Sequence, residues 1–447
     1  MTGAPARQLW QRLQPERWPL PLEALPPDAA LVGGAVRDGL LDRLGPKPDL
    51  DLVVSGDAIA LCRALARRHG GSAVVLDAER CMARLVIRGW SLDLARQEGA
   101  SLEADLGRRD YTVNAIALPL RPGAELVDPS GGLEHLRQRR LVAVSEANLL
   151  ADPLRLLRGV RLAAQLGFAL DPGSEAWIRR HHGRLPEVAP ERVLQEVEKL
   201  AAAPLGHLGL GQAVATGLLA PWSATAAGPA AGLAAAAADL ALLERLSPER
   251  AAATGLTASE AAEALPLARL AALFDAEALE RLRSSRKLQQ RAGRLRSWRQ
   301  RLGADRPQDG APSSTPGAAA DADPAAATAL SAAIAALPEV ERLQLQRQLE
   351  ADLPALLLAW PAELARSWLE RWRDPDDRLF HPRPPLDGRR LQQACGLAPS
   401  PLLGELMEHL LLEQAFGRLQ GPEAAISGAR HWLEHQPDAG GETPRRD

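Results

Sequence analysis

Between Leu31 and Val54 the chain reads LVGGAVRDGLLDRLGPKPDLDLVV, and the spacing of its apolar positions changes along the way. Leu31 and Val32 end an apolar run, and Gly33-Gly34 break it. A short helix and a loop follow, then the apolar strand Leu50, Leu52, Val53, Val54. Similar alternation continues from about 28 to 145. Asp57 to His69 has helical spacing, with Ile59, Leu61 and Leu65 expected inward. Ser72–Leu76 and Met82–Ile87 are rich in β-branched residues and Trp90–Ala95 alternates, so all three are predicted strands. Residues 1–27 predict a short helix and a proline-rich lead-in. From Ser145 onward helix signals dominate, interrupted by a low-complexity stretch rich in Ala, Pro, Asp and Ser at Gly303–Thr328.

Chemistry-bearing residues fall on this frame at definite places. Paired glycines before a helix let the backbone approach a ligand, and the helix start offers N–H groups to a phosphate. Asp49 and Asp51, two apart on a strand, project to one face. Two carboxylates held this way suit divalent metal, and paired metals about 3.5–4 Å apart are a common device for phosphoryl or nucleotidyl transfer. Asp-x-Asp alone carries little weight, since Asp321/Asp323 and Asp374/Asp376 repeat it in surface-like sequence. The joint pattern of glycine turn, helix and carboxylate strand carries more. Asp93, on the predicted strand Trp90–Ala95, is placed either to complete a metal site, to act as a base, or to sit as a plain edge-strand carboxylate. In GRRDYTVNAIA, Arg108 and Arg109 suit phosphates, and Asp110 or Asn114 suits a ribose hydroxyl. In ADPLRLLRGV, Asp152, Arg155 and Arg158 stand three apart. On one helix, Asp152 and Arg155 would share a face, either as an ion pair or as a reader of bases. A carboxylate accepts from an exocyclic amine and a guanidinium donates to a ring nitrogen, which accepts cytosine and adenine and rejects uracil and guanine.

Composition narrows the setting. The 447 residues allow several domains, and aromatics are only 3%, so the core is mostly Leu, Ala and Val. Net charge is −3, so any nucleic-acid surface must be a local patch. Three scattered cysteines (Cys62, Cys81, Cys395) suggest free thiols in a reducing compartment. With no apolar leader pattern and no run of about 18 apolar residues, a soluble, cytoplasmic protein without membrane contact is expected.

These segments together resemble the bacterial (class II) tRNA nucleotidyltransferase and poly(A) polymerase family. LVGGAVRD with DLDLVV is similar to its metal-binding motif, and GRRDYTVNAIA to its ribose-contacting motif. LVDPSGGLEHLRQRRL resembles its hinge-like motif, ADPLRLLRGVRLAAQLGF its base-selecting helix, and PERVLQEVEKL the helix after that. The resemblance implies an α+β fold: a nucleotidyltransferase head with a small β-sheet, then an all-helical neck, body and tail. The corresponding boundaries are an N-terminal extension at 1–27, head at 28–145, neck at 146–204, body at 205–303, low-complexity linker at 304–328 and tRNA-binding tail at 329–447. It also implies Mg²⁺-dependent, template-independent addition of nucleotides to a tRNA 3′ end. Asp49 and Asp51 would bind metal, with Asp93 assisting. Gly33, Gly34 and Arg37 would hold the triphosphate, and Arg109, Asp110 and Asn114 the ribose. Asp152 and Arg155 would read the base, supported by Arg158. In the helical part, Asp275 to Leu302 is the most basic stretch. Arg283, Lys287, Arg291 and Arg294 would line one face, as a tRNA-backbone contact or a solvated face.

Two departures from the family pattern matter. The base-selecting motif usually begins Glu-Asp, and here it reads Ala151-Asp152. The long flexible loop that full CCA-adding members carry after the Asp93 strand is absent, because LARQEGASLEADLGRRD runs straight through. In this family that absence resembles the CC-adding specialists. The expected partners are therefore tRNA and CTP, with ATP as the further substrate if the terminal A is also added. The alternatives are a full CCA-adding enzyme, a poly(A) polymerase, and a non-catalytic tRNA-binding protein.

Overall fold

The computed structural model describes residues 4–222, 240–303 and 324–435. The chain divides into two compact units, Met1–Pro221 and Trp222–Asp447. The first opens with helix α1 (Ala4–Leu13), followed by strand β1 (Ala30–Val32), helix α2 (Gly34–Leu40) and strand β2 (Leu50–Val54). Arg12 of α1 donates to the carbonyls of Gly39 and Leu40 at 2.8 and 3.1 Å. Helix α3 (Ala58–His69) follows, with Asp57 as its N-cap accepting from the Ala60 amide. Its buried residues are Ala58, Cys62 and Leu65. Ile59 and Leu61, expected inward, are half-buried, because the sheet meets the stripe one position over.

Strands β3 (Ser72–Asp77), β4 (Met82–Ile87) and β5 (Trp90–Arg96) complete the expected set, and β6 (Ala117–Pro119) closes a mixed sheet of order β3-β4-β5-β2-β1-β6. The central pair β2/β5 is parallel, with Asp51 opposite Asp93, and the flanking pairs are antiparallel, with Val32 opposite Asp51. Leu50, Leu52, Leu92 and Leu94 are fully buried, whereas Asp51 and Asp93 stay half-buried on the alternate face. On the alternate face Val53 joins Ala30, Val32, Leu106, Ala115 and Ala117 in a small core. The ordered strand starts at Leu50, so Asp49 lies just before it and is exposed.

Between β5 and helix α4 (Leu102–Leu106) only residues 97–101 intervene. They are held at several points: the Gln97 amide donates to the Val54 carbonyl, and the Glu98 amide to Asp105 at 2.9 Å. Ser101 caps α4 by accepting from the Ala104 amide. Helix α5 (Gly132–Gln138) starts on the Asp128 carboxylate, which accepts from the Gly132 and Leu133 amides at 2.7 and 2.9 Å. A two-stranded pair, β7 (Arg140–Leu141) and β8 (Ala169–Leu170), brackets helices α6 (Glu146–Ala151) and α7 (Leu154–Leu166). Helices α8 (Pro172–His181), α9 (Pro190–Ala202) and α10 (Gly206–Ala215) complete the first unit, with α7, α9 and α10 packed together.

The second unit, in its described residues, is helical: α11 (Pro248–Thr254), α12 (Ala258–Leu273), α13 (Ala276–Arg281), α14 (Arg286–Arg301), α15 (Pro324–Ala336), α16 (Glu339–Leu349), α17 (Leu353–Leu357), α18 (Ala362–Arg373), α19 (Gly388–Cys395), α20 (Pro401–Ala415) and α21 (Gly421–Glu434). Residues 324–328, assigned by composition to the linker, instead open α15. Pro324 stands at the helix start, and the alanines that follow favour helix. The rest of that linker, 304–323, and the last residues, 436–447, lie outside the described residues. No described helix is long and apolar enough to cross a membrane.

Candidate nucleotidyl-transfer site

The glycine turn stands beside the carboxylates. Gly33 has φ +72°, a conformation L side chains avoid, and a Cβ placed there would stand 3.0 Å from Asp51 Oδ2 and 3.7 Å from an Arg109 Nη. The residue is therefore glycine for two reasons, backbone conformation and the close approach of Asp51. Burial first, and then the Asp93 charge, push the Asp51 carboxyl up to about 6, with Arg109 opposing. Asp93 is gripped by Arg84 across β4/β5, through Nε at 2.7 Å and Nη2 at 2.8 Å. Asp51 thus lies opposite Asp93 across β2/β5, with Asp49 one residue before β2 and its charge also acting on Asp51. They do not converge as a closed triad: among the described residues, only His431, Glu434 and His435 bring three such ligand atoms within 4.8 Å.

Arg37 is buried rather than exposed at the helix start. Its guanidinium makes a fork with Asp38 at 2.8 and 2.9 Å and donates to Asn114 Oδ1 at 2.7 Å. Asn114 donates in turn to Asp110 Oδ1 at 3.2 Å, and Arg158 donates to Asp110 Oδ2 at 3.3 Å. Burial would raise the Asp110 carboxyl, but Arg158, the Tyr111 amide and Asn114 outweigh it and hold it below the usual carboxylate range. One polar chain therefore runs from α2 through Asn114 and Asp110 to α7. Arg109 pairs with Asp105 at 3.1 Å and keeps a buried Nε without a partner.

The structure corrects the reading of Asp152 and Arg155 as one helical face. Asp152 ends α6 in extended conformation (φ −143°), and α7 begins only at Leu154. The cause is Pro153, whose ring disfavours helical backbone in the residue before it. Asp152 accepts from the Leu154 amide at 3.2 Å and pairs with Arg192 of α9 at 2.9 Å. Arg155 donates to the carbonyls of Arg108 and Asn148, both at 3.0 Å, and its buried Nε has no partner. Ala151, in the place of the family's usual Glu, is exposed.

Several contributors were not foreseen. Asn148 donates to the Gly107 and Arg109 carbonyls at 2.8 and 2.7 Å, tying α6 to the Arg-Arg-Asp turn. Tyr111, fully buried, donates its hydroxyl to the Arg155 carbonyl at 2.9 Å. Glu196 of α9 pairs with Arg161 at 2.6 Å and lies 3.9 Å from Arg158. Tyr111, Arg192 and Glu196 had a sequence signal, since they lie in GRRDYTVNAIA and PERVLQEVEKL, two of the resembling segments; Asn148 lies outside them.

The basic face predicted over Asp275–Leu302 is also corrected. The helix breaks between α13 and α14, where Arg283 takes φ +55° and Ser285 caps the new start by accepting from the Leu288 amide. Arg283 therefore stands apart from Lys287, Arg291 and Arg294. Arg291 makes a fork with the buried Asp352, through Nη2 at 2.6 Å and Nε at 3.0 Å, so its charge is committed inside the unit. Lys287 and Arg294 are exposed. Trp298 is core, donating to Gln348 at 2.9 Å, and Arg301 stacks 4.6 Å above its ring.

Comparison with known proteins agrees with this arrangement. Residues 29–142 match the Poly A polymerase head domain family, and residues 167–223 match the family described as the probable RNA and SrmB-binding site of polymerase A. A CC-adding tRNA nucleotidyltransferase of Synechocystis is 34% identical over 434 residues, covering 92% of this chain and 95% of that protein. An A-adding tRNA nucleotidyltransferase of Deinococcus radiodurans is 45% identical over 204 residues, 44% of this chain and 46% of that one. A crystal structure of the Bacillus stearothermophilus CCA-adding enzyme in complex with CTP superposes with TM-score 0.64 at 20% identity, covering 96% of this chain and 98% of that one, a likeness of fold. The chain therefore belongs to the bacterial tRNA nucleotidyltransferase and poly(A) polymerase family, as an enzyme of the CC-, A- or CCA-adding kind.

Proposed function

We propose that this enzyme adds two cytidine nucleotides to the 3′ end of tRNA and stops before the terminal adenosine. The observation that carries the reading is the short connection from β5 to α4. Residues 97–101 are anchored at both ends, and a Cβ on Gly99 would lie only 3.0 Å from that of Ala104. A segment so held has little slack to act as the lever that reshapes a base pocket from cytosine to the larger adenine. The near full-length similarity to a CC-adding relative supports the same reading.

The carboxylates suit a divalent metal of the magnesium class. The donor set is all oxygen, and Asp51 is raised by burial first and then by the Asp93 charge, both of which a bound cation would offset. Asp49 and Asp51 would hold the ion, with Asp93 assisting. When bound, it would supply Lewis-acid polarisation and charge neutralisation at the α-phosphate. The residues do the rest. The Gly33 turn lets the triphosphate approach the backbone beside Asp51, and the α2 start at Gly34 offers its N–H groups. Arg109 faces the same space with an Nη nitrogen, 3.7 Å from a Cβ placed on Gly33. Arg37, being buried, acts on the triphosphate by fixing α2 and on the ribose by orienting Asn114. Asp110 and Asn114 contact the sugar. Asp152 accepts from the cytosine amine and Arg155 donates to its ring nitrogen, with Arg158 holding Asp110 in place. The 3′ oxygen of tRNA attacks the α-phosphorus of CTP, forming a new phosphodiester, and pyrophosphate leaves. The exposed cations Lys287 and Arg294, with Arg283 on its separate turn, are candidates for the tRNA backbone, whereas Arg291 is held by Asp352.

The test supplies tRNA ending at the discriminator base with CTP and ATP together. Products two nucleotides longer support the reading, and products three longer overturn it. A second prediction concerns Arg192. Arg192→Ala leaves Asp152 without its charged anchor, so the KM for CTP rises about tenfold, the scale of one charge-assisted hydrogen bond, while kcat changes less. An unchanged KM would remove Arg192 from the account.

A further inference from the structure

The last turn of α21 carries His431 and Glu434, and its C-cap residue is His435, far in sequence from the catalytic carboxylates and on the second unit. We propose that these three residues bind a zinc-class divalent ion. Positions i, i+3 and i+4 of a helix share a face. Their ligand atoms all lie within 4.8 Å of one another, and all three residues are exposed. The two imidazoles stand side by side, with ring centroids 4.3 Å apart. His435 is already oriented: its Nδ1 lies 2.8 Å from the His431 carbonyl oxygen, which only accepts, so Nδ1 carries the proton and Nε2 keeps its lone pair for a metal. The closing carbonyls of the helix add negative potential, which favours a cation.

The neighbouring side chains are engaged elsewhere and leave the face open. Arg430 donates to the Ala394 carbonyl at 3.1 Å, and Trp432 stacks on His409 with centroids 5.7 Å apart. Two imidazoles and one carboxylate suit zinc, nickel or copper and do not suit magnesium, which prefers oxygen and water. Zinc is the commitment, with water filling the remaining position. A bound ion clips the final turn of α21 and stabilises the folded second unit by mass action.

The test uses the full-length protein, stripped with chelator and held in excess Mg²⁺ so that oxygen-only sites are occupied. Zinc is titrated calorimetrically and cobalt by visible absorption. The expected result is a zinc site that weakens about tenfold or more in His435→Ala and is lost in the double variant His431→Ala/His435→Ala. The corresponding glutamine variants guard against unfolding, and all variants should melt like the parent without zinc. Zinc should raise the melting temperature of the parent only. Zinc binding equal in parent and double variant, or absent from the parent, overturns the proposal.

Discussion

Asp51→Asn is expected to lower nucleotide incorporation about a thousandfold or more, the scale of about 4 kcal/mol of electrostatic transition-state stabilisation. The loss should fall on kcat, because the carboxylate matters where charge moves at the α-phosphate. The same substitution should make the metal-free protein more stable at neutral pH. In the folded chain the Asp51 carboxyl is raised from 3.8 to about 6, chiefly by burial and then by Asp93. The folded state therefore holds this proton more tightly than the unfolded state. Stability falls as pH rises from about 4 to 6, and the full penalty remains above that range. An amide removes the penalty, worth up to about 3 kcal/mol at pH 7.5. Denaturant midpoints in chelator across pH 4–8 check this: the parent should lose stability through that window and Asp51→Asn should not. Equal pH dependence of the two proteins would show that Asp51 is not strained in this way.

Gly159→Ala is the second large effect, and its origin is purely steric. A Cβ at position 159 would stand 1.9 Å from the Tyr111 hydroxyl oxygen and 2.5 Å from the ring carbon bearing it. Tyr111 is fully buried and its hydroxyl is bonded to the Arg155 carbonyl, so neither side has room to move. Overpacking of this severity should cost about 3 kcal/mol or more. It should also displace Arg155, so activity falls together with stability. Tyr111→Phe alone loses one hydrogen bond, about 1 kcal/mol, and does not rescue Gly159→Ala, because the ring carbon still collides. Chemical denaturation of the three variants decides the matter. A Gly159→Ala protein within 1 kcal/mol of the parent would mean that α7 and Tyr111 can separate freely.

The head was legible because its signals are local. Gly33-Gly34, the apolar strand Leu50–Val54, the helical spacing from Asp57 and the alternation through Trp90–Ala95 each depend on near neighbours. The pairing of Asp51 with Asp93 is set by strand order, although each stands out locally, Asp51 beside Asp49 behind the glycine turn and Asp93 on an alternating strand. What stayed hidden was long-range or depended on one overlooked residue. Pro153 separated Asp152 from Arg155, and the sequence did contain that signal. The partner Asp152 took instead, Arg192, comes from another helix. Arg291 looked like a surface cation until Asp352, sixty-one positions on, claimed it. Arg37 looked like a phosphate ligand by motif and proved to be buried, because Asp38 and Asn114 surround it. Charge patterns along one helix do not record such partners, since an ion pair across the fold leaves no periodicity.

The measurement closest to the central claim is transfer of labelled AMP from ATP to tRNA already ending in CC, with CTP addition to tRNA ending in C as the positive control in the same preparation. Brisk cytidine addition and no adenosine addition above background are expected. Efficient adenosine addition to the CC-ended tRNA would contradict that claim, and would mean that the tethered connection at residues 97–101 does not set where synthesis stops.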